Sequence, residues 1–132
     1  MASAVDIQGV VFKGGSCTLL ARVVGEDAQP IVQADIASAE YTVYLLDEND
    51  PDSDTAVSGH TRVSVEVGSL IYNDLQTDEL WDVDSTGYNL KHVLDVSSNS
   101  AFTIAGRSYR VIFTLTPVIG QTILVRFRLG AI

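Results

Sequence analysis

Five carboxylates fall within eight positions of the segment LDENDPDSDTAVSGH, residues 46–60: Asp47, Glu48, Asp50, Asp52 and Asp54. The alternation Asp50, Asp52, Asp54 is the spacing with which a calcium loop supplies its first oxygen ligands. Continued in that register, the match breaks. Position 6 falls on Thr55, where the sharp turn calls for glycine, and position 12 falls on Thr61, where a bidentate glutamate should close the shell. Asp50, Asp52 and Asp54 are therefore candidates only for a non-standard calcium site. The segment reads first as a polar connection in which Pro51 and the Asp and Asn residues favour a reversal and the charges keep its tip hydrated.

Other chemistry is thinly represented. The single cysteine, Cys17, permits no intramolecular disulfide and lacks CxxC or zinc-ligand spacing; it reads as a small buried residue. Two histidines are present, His60 and His92. His92 lies in an apolar alternation and reads as a core or edge residue, although near Asp82 or Asp84 it could serve as a base. Asp82 and Asp84 could serve glycoside hydrolysis only in a cleft that raised one pKa. No GxSxG, GxGxxG or P-loop occurs. Trp81, with Tyr72 and Tyr88 near it in sequence, offers an aromatic platform for sugar or, more simply, a plug at one end of a core. The expectation is no enzyme, no catalytic residue and no cofactor.

Charge is the stronger signal. The chain carries a net −9, which disfavours nucleic acid as a partner. Residues 1–95 hold all 17 acids and four bases, a balance of −13, whereas residues 96–132 hold four arginines and no acid, +4. Such asymmetry suits a protein partner, including another copy of the chain. The amino-terminal residues MASAVDIQGVVFKGGS show neither the basic nor the apolar part of an export signal, and no apolar run reaches the length of a membrane span. Folding in the cytoplasm without a membrane is the expectation.

The elements that must position these groups are strands. Cys17, Leu19, Ala21 and Val23 alternate with a polar face, as do Tyr41, Val43 and Leu45, then Val63, Val65 and Val67, then Leu90, His92, Leu94 and Val96. Gly, Pro and Asx clusters separate them. The spacing predicts one domain over residues 1–132, an all-β antiparallel sandwich of seven to eight strands, with IQGVVF as a short added strand. One helical turn is expected in LQTDELWD, capped by Thr77. In the last hairpin, pairing Leu115 with Ile123 makes partner numbers sum to 238 and buries Tyr109, Val111, Phe113 and Leu115 against Ile123, Val125, Phe127 and Leu129. That register sets Arg110 opposite Arg128 on the outer face, with Arg126 opposite Ile112. Like charges opposed in a sheet are unfavourable, so something acidic should lie over them, either this chain's own acids or a neighbour's. Arg110, Arg126 and Arg128 are the candidate partner-binding residues.

AGRSYRVIFTLTP followed by GQTILVRFRL resembles the last two strands of immunoglobulin-like sandwiches, with Tyr109 at the tyrosine-corner position. FKGGSCTLLARVVGEDAQPIVQADIASAEYTVYLLD resembles the opening of small immunoglobulin-like domains of tailed-bacteriophage virion proteins, where a strand, a turn near GEDAQP and a YTVY-like strand recur. The resemblance implies a structural subunit of the particle: head decoration, head–tail connector or tail accessory. It would fold in the host cytoplasm and then join copies of itself and other virion proteins as a homo-oligomer. A carbohydrate-binding or adhesion module of bacterial type is the alternative.

Overall fold

The period-two segments are strands. The computed structural model describes residues 7–25, 27–47, 49–50 and 53–132. Among them are β1 (Ile7–Val11), β2 (Thr18–Ala21), β3 (Ile36–Leu45), β4 (Thr55–Ala56), β5 (Val63–Val65), β6 (Ile71–Gln76), β7 (Tyr88–Val93), β8 (Ser108–Pro117) and β9 (Ile123–Ala131). One sheet runs β1-β9-β8-β3-β4, with β5 also on the free side of β3; the other runs β2-β7-β6. This is an all-β sandwich of two sheets. Every named pairing is antiparallel except β1 with β9, which is parallel. No helix among the described residues is long and apolar enough to cross a membrane.

The hairpin register is the expected one: Leu115 pairs with Ile123, Arg110 with Arg128 and Ile112 with Arg126. Its inward residues fill the core, with Val111, Phe113 and Leu115 fully buried. Phe113 joins the two sheets, since its ring lies 5.7 Å from Tyr41 on β3, 5.9 Å from Phe127 on β9 and 5.4 Å from His92 on the opposite sheet. The tilted and edge-on angles are those that aromatic quadrupoles favour.

The helical turn lies elsewhere than expected. Helix α1 is Val67–Leu70, directly before β6, and a 3-10 turn covers Gln33–Asp35. Val67 therefore packs on the core from a helix and not from a strand. The capping signal at Thr77 is overridden because Asp78 takes the segment into a turn: its carboxylate accepts from the Leu80 N–H and from the Tyr88 hydroxyl, at 3.0 and 2.6 Å. Tertiary contact outweighs a local propensity of a few tenths of a kcal/mol.

Tyr109, the second residue of β8, accepts a hydrogen bond on its hydroxyl from the Ile104 N–H, five residues upstream, at 3.0 Å. This is a tyrosine-corner arrangement. Removing the acceptor leaves that amide to water at a half-open position, so Tyr109→Phe should cost about 1 kcal/mol, read as a lower urea midpoint at unchanged m. An unchanged midpoint would mean that the ring only packs.

Candidate functional site

The outer face of the larger sheet collects the predicted cations. Across β3, β8 and β9 the rows read Tyr44–Arg110–Arg128, Thr42–Ile112–Arg126 and Glu40–Thr114–Leu124. Arg110 and Arg126 are half-buried, Arg128 is exposed, and Leu124 beside them is 52% exposed. The acid demanded by the opposed arginines comes from this chain: Asp54, just before β4, places a carboxylate oxygen 3.6 Å from Arg110. With side-chain exposures of 24% and 22%, this pair is partly shielded from bulk water. Arg128 has no ion pair with the described residues.

That pairing also decides what the acidic segment does. Asp54 serves Arg110. Asp50 accepts from the Ser53 hydroxyl at 2.7 Å, and its carbonyl accepts the Ser53 N–H at 3.0 Å. Asp47 accepts from the Asn49 N–H at 2.9 Å. Asp52 and Glu48 lie outside the described residues. Among the described residues no three His, Cys, Asp or Glu side chains are placed to hold a metal ion.

The histidines are core residues with different partners. His60, 2% exposed, donates from Nε2 to the Asn99 carbonyl at 2.7 Å, because a carbonyl can only accept, and its Nδ1 meets the Tyr41 hydroxyl at 2.9 Å. His92 is wedged between Tyr41 and Phe113; burial pushes its pKa down, and its Nε2 makes no hydrogen bond. Cys17 is half-buried, and burial pushes its thiol up to about 11, away from the thiolate form that acts as a nucleophile.

Asp84 is the hub of the loop before β7. It accepts from the Trp81 indole N–H at 2.9 Å, from the Thr86 and Gly87 amides at 3.0 and 3.1 Å, and from Arg22, whose guanidinium approaches to 2.7 Å. The indole, the Gly87 amide and Arg22, in that order, hold its carboxyl well below the usual range, opposite to what a general acid needs. Trp81, Tyr88 and Tyr72 do cluster, with centroids 5.7 and 5.9 Å apart. Tyr88 at the centre is 1% exposed, however, and its ring is edge-on to Tyr72, so the three form no flat platform. Trp81 lies on the outside of Tyr88 and not inside the core, with Leu80 and Val83 exposed beside it.

Sequence reading missed Asn89. It sits in β7, 1% exposed, and its amide group satisfies three backbone groups of another segment: it accepts from the Val23 N–H at 2.8 Å and donates to the Val23 and Ile31 carbonyls at 2.9 and 3.1 Å. One side chain thus ties Val23 and Ile31 to β7, alongside the backbone bond from the Ile31 N–H to the Val23 carbonyl. An Asn flanked by Tyr88 and Leu90 carries no sequence mark of this, since the partners lie more than 50 positions away.

Beside these residues lies an open cleft of about 370 Å³, walled on one side by Asp27, Gln29, Ile31, Asp35 and Ile36 and on the other by the β8–β9 turn. Comparison of the chain with protein-family models, with characterised proteins and with solved structures finds no match.

Proposed function

We propose that this chain is a non-enzymatic structural subunit of a tailed-phage virion, a head decoration, head–tail connector or tail accessory, that acts by protein–protein assembly. The likeness of residues 12–47 to phage immunoglobulin-like domains suggests the particle. The arginine face carries the assembly reading: Arg110 is answered within the chain by Asp54, while Arg128 and, four residues before it on β9, Leu124 stand exposed, a cation and an apolar side chain open to a partner. Several side chains capable of chemistry have structural partners: His60 and Asn89 tie loops together, and Asp84 organises a turn. The partners are other copies of the chain and other virion proteins, met after folding in the host cytoplasm.

Arg128→Glu tests this face. Opposite Arg110, a glutamate at this position forms a favourable cross-strand pair, so the variant keeps or gains stability. Its occupancy in gradient-purified tailed particles, measured by quantitative peptide mass spectrometry, should fall by roughly tenfold or more relative to wild type. Equal occupancy would remove this face from the assembly.

A further inference from the structure

The two ends of the sandwich are unlike, and each holds apolar side chains in water. At one end the chain turns sharply after β1. The Gly15 N–H donates to the Phe12 carbonyl at 2.8 Å, Gly14 takes φ +72°, the Lys13 N–H donates to the Ile132 carbonyl at 2.8 Å, and the Gly14 N–H donates to the Phe102 carbonyl at 2.7 Å. Three successive amides are thus tied down, yet the Phe12 ring is left 73% exposed beside an exposed Lys13. A rigid backbone that holds a phenyl ring and an ammonium outward has already lost the freedom that binding would otherwise remove.

The opposite end carries the cleft. Its floor is apolar, with Ile31 and Ile36 buried, and its rim carries Ile119, which is 91% exposed. Asp27 and Asp35 are its charged lining residues, with no Lys, Arg or His among them. Each carboxylate is held by one oxygen, Asp27 through the Gln29 N–H at 3.1 Å and Asp35 through the Val32 N–H at 3.0 Å, which leaves the other oxygen without a hydrogen bond among the described residues. The Val118 N–H donates to the Asp35 carbonyl at 2.9 Å and so ties the two walls together. The volume is in the range of sites that enclose a compact organic group, about 300–1,000 Å³.

We infer that the chain associates head to tail with a second copy of itself, the Phe12–Lys13 corner of one copy seating in the cleft of the next. The inference rests on the assembly reading above and names a contact distinct from the arginine face. Charge selects the occupant, because the cleft is acidic and apolar while the corner is basic and aromatic. Position selects the symmetry. Val11 pairs with Ala131 at one end of β9 and the cleft-forming turn precedes Ile123 at the other, so corner and cleft are about 26 Å apart at about 3.3 Å per residue. A contact between opposite ends is heterologous, and its repetition builds a ring or a filament rather than a closed pair.

The experiment uses two variants of the full chain, each changed only at exposed positions: Phe12→Glu, which removes the corner, and Asp27→Lys with Ile119→Lys, which removes the cleft's charge and rim. Sedimentation at about 10 μM to about 1 mM should show wild type self-associating, with affinity reduced roughly tenfold in about 0.5 M sodium chloride. Each variant alone should be monomeric with a wild-type melting curve. Mixed in equal amounts, the intact corner of one meets the intact cleft of the other, and the mixture should form dimers and nothing larger. Variants that associate as wild type does, a mixture that stays monomeric, or a wild type monomeric up to about 1 mM would each overturn the inference. Particle occupancy is read separately. A chain present in particles but monomeric in solution loses this contact and keeps its structural role, while a chain that associates in solution but is absent from particles keeps the contact and loses the role.

Discussion

Phe113→Asp should not fold. Phe113 is fully buried and sits between rings of both sheets, Tyr41 and Phe127 on one side and His92 on the other. Removing the ring alone costs about 3–5 kcal/mol. The carboxylate that replaces it has no cation within the apolar cluster, and an unpaired buried charge costs several kcal/mol more. Together these are comparable with the whole stability of an ordinary domain, about 5–15 kcal/mol. The expected result is loss of the β-sheet circular dichroism and of amide dispersion in NMR. Phe113→Leu, which keeps the site apolar, should remain folded and melt cooperatively at a lower temperature. A cooperative transition in the aspartate variant would show that the centre of the sandwich is not where this ring lies.

Asn89→Ala should be the most damaging change at a polar position. It strands the Val23 N–H and the Ile31 carbonyl in the interior and takes one of two donors from the Val23 carbonyl, and each unsatisfied buried group costs about 1–3 kcal/mol. Partial rescue comes from the Ile31 N–H, which already donates to the Val23 carbonyl at 3.1 Å. A net loss of about 3 kcal/mol is expected, a fall in the urea midpoint of roughly 1.5 M for m near 2 kcal/mol/M. Asn89→Asp discriminates the mechanism, because it keeps the shape but sets carboxylate oxygens against two carbonyls. It should be at least as destabilising as alanine. An aspartate variant close to wild type would show that the side chain fills space and does not anchor the loop. Either variant should also loosen the wall of the cleft, since Ile31 belongs to both.

How much of this was legible in the sequence depends on the range of the signal. Alternation along a strand is local, so the inward sets of β2, β3, β7, β8 and β9 could be read directly, and the hairpin register followed from two adjacent strands joined by a short turn. The opposition of Arg110 and Arg128, and the need for an acid above them, came with that register. That the acid is Asp54 required the path of the β3–β4 connection, which no local pattern encodes. His60 and Asn89 follow the same logic: each is a polar residue made structural by partners 19 to 66 positions away. The helical turn was misplaced for a related reason. Thr77 offers a reasonable cap, but Asp78 is claimed by Tyr88, while Val67–Leu70 carries no capping side chain and is set by its packing before β6. The cleft and the Phe12 corner are equally non-local, since each depends on which loops the sheet brings to one end.

The most direct measurement is the copy number of the unmodified chain in tailed particles made by the genome that encodes it, taken from gradient-purified particles by quantitative peptide mass spectrometry against the major shell protein. A structural subunit must appear at a fixed copy number that matches a symmetry of the head, neck or tail, and must stay with the particles through successive gradients. A chain that is abundant and folded in the lysate but absent from the particles would contradict the structural role.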